Sequence, residues 1–246
     1  MAAEQTKRAP ILSAIGATPI EQLPANAQLM EASIEGGQAA FRVHCVQCHG
    51  TGADGVRPGS GYPNLNDDDW LWGGDLKTIE YTITHGIRNP DHAETRMSQM
   101  PAFGRDAILD ATGVQDVVSY VRVLSAQERA SASSGRGAAL FAANCAVCHG
   151  TDGKGSRTLG APNLTDGIWL YGGNRAALTE TVTNAHQGVM PAWGARLDPV
   201  TIRMLAIYVH SLGGGEATPA ADAAAATPAA AAAPATSAAG GAAPAQ

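Results

Sequence analysis

The chain has 246 residues, 45% of them hydrophobic but only 5% aromatic, enough for two small domains yet poor in the large side chains that usually fill them. A formal net charge of -6 excludes a basic nucleic-acid-binding surface, so no nucleic-acid partner is expected, and slightly favours a cationic patch on any docking protein. All four cysteines fall in two Cys-x-x-Cys-His runs, which excludes a disulfide framework.

Residues 1–30 read as an N-terminal extension. Its apolar run, Ile11 to Ala17, is bounded by Pro10 and Pro19 and is far short of the ~20 residues a membrane-spanning helix needs. A helix is expected over 35–44, leading into Cys45-Val46-Gln47-Cys48-His49, then a Gly- and Pro-rich loop over 50–64, a shorter helix over 76–85 and a closing helix over 114–124. The polar segment 125–135 reads as a linker. The series then recurs: a helix over 137–144, Cys145-Ala146-Val147-Cys148-His149, a loop over 150–163, and helices over 175–184 and 199–212. From 213 onward the chain is Ala, Pro, Thr and Gly, so 214–246 is expected to be a disordered tail.

The recurrence is a duplication. Phe41 to Gly50 matches Phe141 to Gly150, Pro63-Asn64-Leu65 matches Pro162-Asn163-Leu164, Trp70-Leu71-Trp72-Gly73-Gly74 matches Trp169-Leu170-Tyr171-Gly172-Gly173, and Met100-Pro101-Ala102-Phe103-Gly104 matches Met190-Pro191-Ala192-Trp193-Gly194. The period is too long for a solenoid. The expected fold is all-α, with tandem domains over 31–124 and 136–213. Residues 89–99 are an insertion that the second unit lacks, placed on a surface loop.

Cys-x-x-Cys-His attaches a c-type haem: two thiols add across the vinyl groups, and the next residue offers its imidazole to the iron. The covalent sites are thus Cys45 and Cys48, and Cys145 and Cys148, for two haem c, and the iron ligands on that side are His49 and His149. Two such groups would also supply the core volume that aromatic residues do not. Zinc ribbons and thioredoxin-like pairs need a spacing or a βαβ context absent here. The sixth ligand is assigned to Met100 and Met190, the one methionine position both units share, because a thioether is a soft ligand that raises the potential. Met97 is a rival to Met100. His85, His92 and His186, with His44 and His210, are the other imidazoles; none recurs at an equivalent place.

Pro63 and Pro162 are candidates for carbonyls that orient the ligating imidazoles. Trp70, Trp72, Trp169 and Tyr171 are candidates to pack on the macrocycle and bond its propionates, and Arg88 is a candidate propionate partner for the first haem. With both axial positions filled by protein, the irons exclude oxygen or peroxide, which points to electron transfer rather than catalysis by the chain itself.

These tandem motifs, with Ile83-Thr84-His85-Gly86-Ile87-Arg88 and Thr18-Pro19-Ile20-Glu21-Gln22-Leu23, resemble the third subunit (FixP/CcoP type) of cbb3-type cytochrome c oxidases over roughly residues 19–212. The resemblance implies two class I cytochrome c domains, His49 with Met100 on the first haem and His149 with Met190 on the second. It also implies an electron-donor cytochrome and other subunits of a membrane oxidase as partners, on the periplasmic side of the inner membrane. The family's anchor is absent from this sequence, so Met1 reads as the start of a shortened chain. The rival functions are a free periplasmic dihaem carrier and a dihaem peroxidase.

Overall fold

The computed structural model describes residues 2–55 and 59–217, with side chains from residue 8 onward. Among these residues the secondary structure is helical, with isolated bridges and no strand. In chain order come α1 (Ala2–Ala17), a 3-10 turn (Ile20–Ala25), α2 (Ala27–His44), α3 (Val46–His49), α4 (Leu76–His85), α5 (Ala111–Leu124), α6 (Ala132–Asn144), α7 (Ala146–His149), α8 (Arg175–Asn184) and α9 (Pro199–His210). The all-α expectation holds. The longer helices begin on side chains that accept from backbone N–H groups: Asn26 for α2, Asp75 for α4, Asp110 for α5, Asn174 for α8 and Asp198 for α9.

The packing crosses the duplication. Helix α2 of the first repeat lies against α9 of the second, and α6 of the second lies against α5 of the first. Both crossings are made close by glycine. A Cβ on Gly37 would stand 2.1 Å from the carbonyl oxygen of Met204, and one on Gly137 would stand 1.9 Å from that of Asp116. One turn further along, Phe41 meets Tyr208 edge-on at 5.4 Å between ring centroids, and Phe141 meets Tyr120 at 5.2 Å. Phe41 and Phe141 are both essentially sealed from solvent.

Two cores result. One joins Phe41 of α2, Leu76, Ile79 and Ile83 of α4, and Leu205 and Ile207 of α9. The other joins Phe103, Val117 and Val121, Phe141, and Leu178 and Val182 of α8. The sequence repeats are therefore not the packing units. The reason is chain length: only seven residues separate α5 from α6, so these consecutive helices fold back on each other as a hairpin, and α9 returns to cover α2.

The described segments that flank the two repeats are more structured than their composition suggests. The N-terminal extension contributes Ile15, Ile20 and Leu23 to the first core. Arg203 of α9 holds it there, donating from Nη1 to the carbonyls of Ile15, Gly16 and Thr18 at 3.1, 2.8 and 2.7 Å while Nε reaches Glu80 at 3.1 Å. These carbonyls close the end of α1, where a cation is favoured. At the other end, Glu216 accepts from the Gly74 N–H at 2.7 Å and from Arg157 Nη1 at 2.6 Å, and its own N–H donates to Gly74. The expected disordered tail over 214–246 thus starts no earlier than 218, where it lies outside the described residues.

Candidate haem sites

Each Cys-x-x-Cys-His run straddles a break in a helix. Cys45 and Cys145 cap α2 and α6, and their non-ideal φ of -111° ends the long helix and starts a single turn carrying the second cysteine and the histidine. Gly50 and Gly150, at φ of 78° and 76°, then turn the chain away in a conformation that L side chains resist. Burial pushes the Cys45 and Cys145 thiols up to about 11, with Cys48 and Cys148 adding to the shift, so neither is poised as a thiolate.

A proline carbonyl faces each of the two histidines. His149 Nδ1 lies 3.1 Å from the Pro162 carbonyl, and His49 Nδ1 lies 3.4 Å from that of Pro63. A carbonyl only accepts, so Nδ1 carries the proton and Nε2 keeps its lone pair for a metal. Burial pushes both imidazoles below the ordinary histidine value, partly offset by those carbonyl contacts, so both stay neutral near pH 7.

The methionines are exchanged between the repeats. Met100 lines a cavity of about 210 Å³ together with Cys145, Cys148, His149, Phe141 and Trp169, all from the second repeat. Met190 instead packs against the first core, as Cys45, Val46 and Trp70 do. Backbone hydrogen bonds set both placements: the Met190 N–H and carbonyl pair with Ile87 at 2.9 and 3.0 Å, and Trp193 and Gly194 donate to Ile83 and Thr84 at the end of α4. In mirror fashion Arg105 donates to Thr183 of α8 at 2.9 Å, and Gly104 lies against Thr183. The pairing implied by resemblance, His49 with Met100 and His149 with Met190, is corrected by this placement. Each Met-Pro-Ala-aromatic-Gly phrase docks on the other repeat's middle helix.

Arg88 is corrected in the same way. It was expected at the first haem, but it lines the cavity of the second motif, donating to Gly188 O at 2.6 Å and Ser98 O at 3.2 Å. Trp70 gives its indole N–H to the Gly214 carbonyl at 2.6 Å, so that group is not offered to a propionate. Its ring lies where a Cβ on Gly74 would stand 2.3 Å from Nε1, which explains why the Trp-x-x-Gly-Gly phrase ends in glycine; Trp169 and Gly173 repeat the arrangement. Trp72 and Tyr171 reach across the seam, Trp72 onto Gly160 and Tyr171 onto Gly61.

The other imidazoles are placed elsewhere. Met97 is 58% exposed and is no rival to Met100. His186 stacks on Tyr171 beside the cavity, His44 packs on Trp193, His210 meets the Glu216 carbonyl, and His85 and His92 meet each other. Val117, Leu178, Thr181 and Val182 complete the cavity wall. The helices that carry them were expected over 114–124 and 175–184, but which motif they face was not legible in sequence. An apolar cavity bounded by two cysteines, a neutral histidine with a free Nε2 and a methionine fits a covalently held haem.

Among known proteins, residues 132–209 match the family model for cytochrome c oxidase, cbb3-type, subunit III, and residues 34–125 match that for cytochrome c. The chain is 56% identical over 199 residues to the cbb3-type cytochrome c oxidase subunit CcoP of Cereibacter sphaeroides, covering 81% of this chain and 68% of that protein. It is 49% identical over 213 residues to the FixP subunit of Azorhizobium caulinodans, covering 86% and 71%. The FixP subunit of Rhizobium meliloti is 47% identical over 217 residues, covering 88% and 73%.

Proposed function

Because this chain belongs to the subunit III family of cbb3-type cytochrome c oxidases and carries two haem c, relaying electrons within such an oxidase, we propose how its residues divide the work. The first haem is held by Cys45 and Cys48 and ligated by His49 and Met190. The second is held by Cys145 and Cys148 and ligated by His149 and Met100. The observation that carries this reading is the cavity that brings Met100 to His149.

Bound haem iron supplies a one-electron ferric–ferrous couple. The chain's own residues set its conditions. Pro63 and Pro162 hold each imidazole in the ligating tautomer, the thioethers favour the reduced state, and the apolar walls exclude water. Arg88 lines the second site with its guanidinium half-buried and bonded only to carbonyls among the described residues, so it suits a propionate of the second haem. Trp169 packs beside the same haem. The exchange of methionine phrases ties each iron to both repeats, so the two redox centres share one scaffold.

No helix among the described residues is long and apolar enough to cross a membrane. The haem-bearing part is assigned to the periplasmic side of the inner membrane, where an electron-donor cytochrome reduces it and other subunits of the oxidase accept the electrons.

Proton NMR of the ferrous haem-loaded protein tests the ligand set. The ring-current-shifted Met100 methyl should share a haem with the His149 β-protons, and Met190 with those of His49. Cross-peaks from Met100 to the haem of His49 would overturn the assignment. Reduced protein that fails to donate to the remaining subunits of its oxidase would overturn the relay.

A further inference from the structure

Among the described residues, one group of ligating side chains lies outside the haem sites and is not used by the electron relay. His85 ends α4, and the inserted loop after it carries His92 and Glu94. His85 Nδ1 lies 2.8 Å from His92 Nε2 and 3.5 Å from Glu94 Oε2, and the three ligand atoms are all within 4.8 Å of one another. Four-coordinate zinc with bonds of about 2.0–2.2 Å needs ligand atoms about 3.3 Å apart, so the group is within small side-chain rotations of that geometry.

We propose that His85, His92 and Glu94 bind a divalent first-row metal ion of the zinc type. Two imidazoles and one carboxylate leave the fourth position of a tetrahedral ion open to water. The loop presents them already folded. Arg88 N–H donates to Arg96 O at 2.8 Å, Arg96 N–H to Gly86 O at 3.1 Å, Asn89 N–H to Thr95 Oγ1 at 3.0 Å, and Thr95 N–H to His92 O at 3.1 Å. Tyr81 Oη donates to the Glu94 carbonyl at 2.8 Å, and the Tyr81 ring packs on His85 at 4.2 Å between centroids. Binding therefore costs little ordering.

Arg96 is the arginine whose charge bears on His85, and it is engaged elsewhere. Its guanidinium lies over the rings of Tyr81 and Trp72 at 4.8 and 5.2 Å, and its Nε donates to Thr82 Oγ1 at 2.8 Å. The second repeat lacks the loop, so one ion per chain is expected. The same segment runs on directly to Met100, so a bound ion would brace the approach to that residue.

Equilibrium dialysis of the haem-loaded full chain against zinc, with iron and zinc counted by elemental analysis, tests the proposal. Wild type should take up one zinc per two irons in a saturable manner. His92→Asn and Glu94→Gln, both on the surface loop, should retain the Soret spectrum and bind zinc at least ~10-fold more weakly, while His210→Asn should bind like wild type. No saturable uptake by wild type, or equal uptake by wild type and His92→Asn, would overturn it.

Discussion

Replacing Gly137 by alanine should destabilise the protein, and replacing Gly135, two residues earlier in α6, should not. The new Cβ at Gly137 would sit 1.9 Å from Asp116 O, 2.5 Å from its carbon and 3.0 Å from Tyr120 Cβ. A normal carbon–oxygen contact is ~3.3 Å, so α6 must move off α5 by about 1.4 Å against backbone that has no rotamer to yield. Overpacking of this kind costs roughly 1–3 kcal/mol, and alanine's better helix propensity returns about 0.5–1. At Gly135 nothing lies within 4 Å, so only the gain of about 0.5–1 kcal/mol remains. Denaturant unfolding of the haem-loaded protein, followed by far-ultraviolet circular dichroism, should place the two variants on opposite sides of wild type. Gly137→Ala as stable as Gly135→Ala would refute the close crossing of α6 with the first repeat's closing helix. A loss at Gly137 that disappears when Tyr208 of α9 is truncated, instead of Tyr120, would refute the exchanged packing.

Further outcomes follow from the termini and the seam. Arg203→Met should free the N-terminal segment, raising amide hydrogen exchange at residues 11–18 while the haem spectra stay intact; unchanged exchange would mean the three carbonyl contacts do not hold it. Asp69 is pushed up to about 6 by burial, with Asp166, Asp67 and Asp68 adding to it and Arg157 opposing. A folded value above the unfolded one makes the ionised carboxylate a burden, so stability falls as pH rises through the interval from 3.8 to about 6. Asp69→Asn should therefore raise stability at about pH 7.5 by ~1 kcal/mol, discounted for partial exposure, and leave it unchanged at about pH 3.5; an equal effect at both pH values would refute the cause. Arg88→Gln should shift the potential of the haem on His149, and the pH dependence of that potential, more than that of the haem on His49, measured by spectroelectrochemical titration. The reverse order would return Arg88 to the first site.

The haem attachment points were legible in sequence because their chemistry is local. Cysteine, cysteine and histidine must share one helical turn to serve one macrocycle, so their order in the chain is their order in space. The same holds for Pro63 and Pro162, which the turns after Gly50 and Gly150 return to the histidine thirteen or fourteen residues earlier. The six helices expected from the sequence are likewise local matters and all are found, although α2, α5 and α6 start at Ala27, Ala111 and Ala132, ahead of the expected 35, 114 and 137. The N-terminal helix and the 3-10 turn after it are not local matters, because Ile15, Ile20 and Leu23 find their partners in α2, α4 and α9.

What sequence alone determined was two copies of one chemical unit, with their ligand types and their family. Which copy completes which was decided by tertiary structure. The duplication makes the halves equivalent: Tyr120 and Tyr208, Gly37 and Gly137, and the two methionine phrases satisfy the same pattern whether each repeat closes on itself or on its twin. Pattern cannot choose between those arrangements. The short connection from α5 to α6 can, because neighbours in the chain become neighbours in space, and Met100, Met190 and Arg88 are carried across with the helices that hold them.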